Sequence, residues 1–507
     1  MTSISVGGEV PTSVADVVAV ARGGAQIALA PPVFARIAAA RDVVLRLADG
    51  DQPLYGVNSA LGANTGQRLG AADLAEYQRR AILARAVGVG APYDRASVRA
   101  MLMARIAGMA AGGSGVSQHV LDALVAMVNR GVHPVVPRLG SIGVADLPQL
   151  SHLALPLIDA GEAEVDGETL PGGEALRRAG IAPVALGPKD GLALISANAA
   201  TIGRAALVVD DALQLAAGWR AAIALSLEGF RANLSPLDER AVGARPAPGQ
   251  VEAAAQLRAL LAGSALFSPG TARRVQDPLS FRVVAQVQGS LQAALRAVRE
   301  LVEVELASAA ESPLVIAADG VMLSNGNFHV PALTVALDAA AIAIAQSASL
   351  GAERVIRFMS PAFTDLPLQL TRRGPAHSGF ATLQKTVTAL WSEIRLRANP
   401  ASLDFLPVSE GAEDHATMAL GCVERLADML ERLRYLVAIE LLVAAQAVDL
   451  REVPADALGT GPRAALARVR EIVPMLDEDR PLGPDVDAIA AAVAAGSFAG
   501  SFAAPSA

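Results

Sequence analysis

The run EDHATMALGCVERLADMLERLRYLVAIELLVAAQAVDL, residues 413–450, spaces apolar side chains three and four positions apart over many turns. That spacing gathers them on one face of an α-helix longer than most globular helices. LRAVRELVEVELASA (295–309) and VALDAAAIAIAQSASLGAERVIRFM (335–359) repeat the pattern. Three such runs predict a mainly α fold with a central bundle of long, nearly parallel helices. Composition agrees. The chain is 52% hydrophobic but only 3% aromatic, so its core draws on small aliphatic residues, and alanine and leucine lead the helix-propensity scale. Its 507 residues supply apolar material for a large core. The expected division is a smaller N-terminal globular domain over 1–115, carrying the Gly-rich loop DQPLYGVNSALGANTG, and a long-helix bundle domain over 116–507.

A net charge of -8, with no basic patch interleaved with aromatics, argues against nucleic acid as the partner. The single cysteine, Cys422, excludes an intramolecular disulfide and a cysteine-cluster metal site. It reads as a small buried packing residue. No His, Asp or Glu spacing calls for a metal. The N-terminus MTSISVGGEV lacks a basic segment followed by an apolar one. From Ala488 onward the chain is uncharged and rich in Ala, Gly and Ser, which reads as a packed or frayed tail rather than a membrane anchor. The expectation is a soluble, cytoplasmic protein with no membrane partner.

Polar interruptions precede the long runs: VQDPLSFR (275–282), LSNGNFHV (323–330) and LDFLPVSEGAEDHA (403–416). At the mouth of a helix, free N–H groups and the macrodipole favour anions, and loops on a rigid scaffold are where sites are built.

These segments together resemble the histidine and phenylalanine ammonia-lyases. YGVN (55–58) with a following LG resembles the loop that carries the family's catalytic tyrosine, and KDGLALISANA (189–199) its EGLALxNGT segment. VQDPLSFR resembles VQDPYSLR, SNGNFH resembles SGGNFH, HSGFATLQ (377–384) resembles NSGFMIAQ, and EDHATM resembles EDHVSM. Six motifs occur in order over nearly the whole chain. The resemblance implies a homotetramer of mostly parallel helices, with active sites shared between subunits.

One segment departs from the family. Where it reads Gly-Ser-x-Gly-Ala-Ser-Gly-Asp-Leu, this chain has Gly140-Ser141-Ile142-Gly143-Val144-Ala145-Asp146-Leu147. In the family the Ala-Ser-Gly triad cyclises into methylideneimidazolone, an electrophile that captures the substrate amine. Here two residues stand for three, with no serine to dehydrate and no glycine nitrogen to close the ring, so no cofactor is expected. Other positions change too. The family histidine of SHAAGVG is Arg85, the asparagine of NGT is Ser196 with Asn198 two residues on, and the tyrosine of QDPYS is Leu279. Tyr55, Arg282, Asn327, Phe328 and Glu413 remain, and Lys385 stands where the histidine lyases carry an apolar residue.

The electrophile exists to bond an amine lone pair. A quaternary trimethylammonium has no lone pair and leaves unaided as neutral trimethylamine. A betaine substrate would therefore make the triad dispensable. Lysine is rarely buried without a use for its charge. If Lys385 faces the site, it and Glu413 suit a 2-thioimidazole, Lys385 at the sulfur and Glu413 at a ring N–H. Tyr55 is then the base, its pKa lowered from about 10 by a cation such as Arg85. Arg282 is the carboxylate clamp. Ser196, Asn198, Asn327, Phe328 and Arg85 complete the expected substrate-binding set. The substrate that fits is ergothioneine, giving thiourocanate and trimethylamine. The alternatives are a lyase acting on hercynine or histidine, and an inactive relic that binds a small ligand. His329 and His415 read as core histidines rather than ligands, and Arg372 and Arg373 as a solvated loop or a carboxylate site.

Overall fold

The computed structural model describes residues 2–50, 54–59 and 71–499. The LG that follows YGVN, and the last residues of the tail, lie outside them. The chain is predominantly helical, as expected, and the described residues hold four small sheets of two or three short strands.

Backbone proximity divides the chain into two units, each discontinuous in sequence. The first contains residues 1–210, 298–335 and 400–424, and the second residues 211–297, 336–399 and 425–507. This partition does not follow the 115/116 boundary read from the sequence. Four of its five breaks fall inside long helices, and the fifth, at 399/400, follows the Leu383–Arg397 helix.

The expected long runs form the helices Val284–Leu306, Pro331–Phe358 and Ala419–Leu450. The last begins later than its periodicity implied. Met418 has φ +53°, and its N–H donates 2.8 Å to the Ile142 carbonyl instead of continuing a helix. Residues 413–418 are thus held as a loop. A fourth long helix, Ala199–Phe230, gave no clear one-faced pattern because it is apolar nearly all round. The helical stretch Asp190–Phe230 that contains it is long and apolar enough to cross a membrane, yet 94% of its most apolar window is buried in protein. Cys422 is buried, as its packing role requires.

In the first unit, the Pro31–Ala48 helix packs Ala40, Val43 and Val44 against Val57 and Val315. This small core fixes the loop around Tyr55. In the second unit, Phe281 stacks on Phe230 at 3.8 Å and meets Phe358 edge-on at 5.9 Å. That cluster fixes the short Leu279–Arg282 helix.

Candidate functional site

Tyr55 is 39% exposed, while the four residues that follow it, 56–59, are buried. Gly56 takes φ +69°, a turn conformation that glycine adopts without strain. Asn58 accepts from the Leu54 N–H at 2.6 Å, and the Ser59 hydroxyl donates 2.9 Å to the Leu54 carbonyl. Val57 is inserted in the core. The loop is therefore rigid where it presents the phenol.

A residue that sequence reasoning missed ties this loop to the next motif. Gln78 is 1% exposed. Its amide donates 3.1 Å to the Gly56 carbonyl, and its oxygen accepts from the N–H groups of Gly191 and Leu192 at 2.9 and 3.3 Å. The latter two open the short Asp190–Ile195 helix, where N–H groups lack intrahelical partners. A β-carbon on Gly191 would lie 2.4 Å from the Gln78 carbonyl oxygen, so only glycine allows this approach. Ser196 caps the C-terminal end of that helix, and Asn198 follows, 3% exposed.

From Asn198 the chain of contacts continues. Its amide nitrogen donates to the Phe328 carbonyl, while its Oδ1 is buried with no protein partner among the described residues. Next to Phe328, His329 Nε2 lies 2.7 Å from His415 Nδ1. The pair is half-buried and exposed respectively, not core as the sequence suggested. Burial, and then the neighbouring His415, hold His329 below the usual histidine range. Two residues before His415, Glu413 exchanges backbone hydrogen bonds with Val408 at 3.1 and 3.3 Å. Asn327 is exposed, its N–H held by Asn325 at 2.8 Å.

The departing segment closes the ring. The Thr417 hydroxyl donates 2.8 Å to the Gly143 carbonyl. Asp146 is fully buried and accepts from the Ser141 hydroxyl at 2.7 Å, the Thr201 N–H at 2.7 Å and the Thr201 hydroxyl at 3.0 Å. Burial pushes its carboxyl up, and these donors oppose that. The Asp146 N–H donates 2.8 Å to Ala197. Ala145 sits at φ +52°, a conformation rare for a residue with a β-carbon. Five motifs far apart in sequence are thus joined in one hydrogen-bonded circuit within the first unit.

The Arg85 guanidinium does not join it: it turns back 3.1 Å onto the Ala81 carbonyl of the Ala71–Leu83 helix that precedes it.

The second unit holds the rest of the expected set. Arg282 is exposed and donates 3.1 Å to the Gln276 side chain. Both line a cleft of about 730 Å³ with Asp277 and Leu279. Its carbonyl neighbour Ser280 accepts 2.9 Å from Arg354, which is bidentate on Glu440 at 2.6 and 3.0 Å. Trp219 and Ser226 also donate to Glu440, at 2.8 and 3.0 Å. This ion pair is fully buried. On the Leu383–Arg397 helix, Leu383 and Val387 are buried and Lys385 is on the exposed side. Arg372 and Arg373 are engaged at the surface by Glu452 and Asp477.

Comparison with known proteins bears on this arrangement. The aromatic amino acid lyase family profile matches residues 12–471. Histidine ammonia-lyase of Anaeromyxobacter dehalogenans is 42% identical over 486 residues, 93% of this chain and 94% of that protein. Among solved structures, ergothionase from Treponema denticola, in complex with desmethyl-ergothioneine sulfonic acid, superposes with a TM-score of 0.94. It is 31% identical and covers 98% of this chain and 100% of its own. Histidine ammonia-lyase from Trypanosoma cruzi superposes at 0.89 with 30% identity, over 98% and 94% of the two chains. The chain belongs to the aromatic amino acid lyase family.

Proposed function

We propose that this chain is an ergothionase that eliminates trimethylamine from ergothioneine, without methylideneimidazolone, to give thiourocanate. The observation that carries the reading is the segment Gly143-Val144-Ala145-Asp146. It offers no serine to dehydrate, and the N–H of Asp146 is committed to Ala197. These residues do not fit the electrophile. The likeness to an ergothionase supports the same substrate.

Tyr55 acts as the base and takes the β-proton. The C–H electron pair becomes the new Cα–Cβ double bond, and the Cα–N pair leaves with nitrogen as neutral trimethylamine. Arg282 clamps the carboxylate and Glu413 bonds a ring N–H. Lys385 stabilises negative charge that reaches the sulfur as the proton departs, an interaction strongest in the transition state. Asn198, with its unpaired buried oxygen, and Ser196, Asn327 and Phe328 form the surrounding wall. The functional assembly is a homotetramer with shared sites, which brings Lys385 and Arg282 to their places.

Tyr55→Phe tests the base and should lower kcat by roughly a hundredfold or more. Lys385→Met should lower kcat/KM for ergothioneine by about a hundredfold and leave any slow hercynine turnover unchanged. An equal loss on both substrates would remove the sulfur role. The 42% identity to a histidine ammonia-lyase favours a second reading, deamination of histidine. That reading requires the electrophile, so a dehydration mass shift in the intact protein would support it.

A further inference from the structure

A cleft of about 420 Å³ in the first unit plays no part in the chemistry above. It lies among the end of the Val14–Ala21 helix, the strand Gln26–Leu29 and the first turns of the Arg95–Ala110 helix. Its size is at the lower end of small-molecule sites. Arg22, Arg95 and Arg99 all line it.

Arg99 is only 8% exposed. Its Nε donates 2.9 Å to the Val20 carbonyl and its Nη1 2.8 Å to the Val128 carbonyl. These bonds lock the guanidinium plane. Its Nη2 has no protein acceptor among the described residues. Arg95 uses only its Nε, which reaches His133 Nε2 at 3.3 Å. His133 supplies no negative charge, and its Nδ1 lies 3.7 Å from Glu164. Asp94 is occupied in accepting from the Ser97 N–H at 2.7 Å. Asp210 lies 3.6 Å from Arg22. Among the described residues, neither Arg95 nor Arg99 has a carboxylate within ion-pair distance. Two guanidinium groups four residues apart on one helix thus share a cleft with a third, and the deepest is buried. Burial, with the charge of Arg95, disfavours the charged form of Arg99. The helix-end carbonyls of Val20 and Val128 account for Arg99 itself, but not for the two further guanidinium groups gathered beside it. Guanidinium forks match tetrahedral and planar oxyanions bidentately.

We propose that this cleft binds a phosphate-class oxyanion, free or as the phosphoryl group of a small molecule, between Arg22, Arg95 and Arg99. The site is independent of the lyase reading.

The test titrates the full-length protein with sodium phosphate and with adenosine monophosphate by calorimetry. Thermal melts run in parallel, with sodium chloride at matched ionic strength as the control. Saturable binding, one anion per chain, with a rise in Tm beyond the chloride control is expected. Arg95→Gln and Arg22→Gln, both at exposed positions, should each weaken binding roughly tenfold or more. Tighter binding of the nucleotide, in competition with phosphate, identifies a phosphoryl ligand, and binding of phosphate alone identifies the free ion. A response that chloride reproduces, or equal affinity in wild type and both variants, overturns the proposal.

Discussion

Gln78 carries more of the site's geometry than its place in the sequence suggests. One buried amide holds the Tyr55 loop on one side and the start of the Asp190–Ile195 helix on the other. Replacing it with Met keeps the volume and removes both tethers. Each group left unpaired costs about 1–3 kcal/mol, so Gln78→Met should lower Tm and release residues 54–59. Hydrogen exchange checks this: the amides of that loop should exchange faster than in wild type, ahead of global unfolding. Unchanged protection there would show that Val57 and Asn58 hold the loop alone. Nothing in the sequence around Gln78 marks it, because its partners lie 22 and 113 residues away. Tyr55, Asn198 and Phe328 stand out as candidates in the sequence because they lie in short motifs. Arg85 was placed by alignment to a family histidine, but the side chain bends to Ala81, a direction the motif does not encode.

Among the elements, the buried Arg354–Glu440 pair anchors the short helix that ends in Arg282. Arg354 holds the Ser280 carbonyl there. Arg354→Met alone would leave a buried, unpaired carboxylate and should cost about 3–5 kcal/mol. Adding Glu440→Leu removes that charge and should restore most of the stability. The Ser280 carbonyl would still lack its donor. The double variant should therefore keep a raised KM with kcat little changed, if Arg282 binds the substrate carboxylate. A double variant as unstable as the single, by denaturant titration, would show that the network with Trp219 and Ser226 matters more than the unpaired charge. The sequence showed the helices that carry Arg354 and Glu440, since amphipathic spacing survives in Pro331–Phe358 and Ala419–Leu450. It did not show that Glu440 is a core residue, because in periodicity alone one acidic position in an apolar run reads as a gap. The Ala199–Phe230 helix was missed for the opposite reason, having too few polar positions to mark a face.

For the molecule as a whole, family and architecture were legible because the motifs recur in order and the helical periods are long. The partition into units was not, since it depends on contacts between segments hundreds of residues apart. Global stability should also respond to acid. His133 is buried beside Arg95 and Arg99; burial first, and then those cations, push its pKa down to about 3. The unfolded chain binds a proton there near pH 6.5, while the folded chain refuses it until about pH 3. The stability from a neutral His133 is present above about pH 6.5 and declines as pH falls through that window, by at most about 1.4 kcal/mol per pH unit. Replacing His133 with Asn should flatten the Tm profile between about pH 6 and pH 4. A profile parallel to wild type would assign the acid response to other groups.

The most direct test of the central claim is to give the purified protein ergothioneine, hercynine and histidine separately. Trimethylamine or ammonia release would be followed beside the absorbance of the conjugated acrylate product. The expected result is trimethylamine from ergothioneine, with kcat/KM far above that for hercynine, and no ammonia from histidine. Ammonia release from histidine, with ergothioneine untouched, would contradict it.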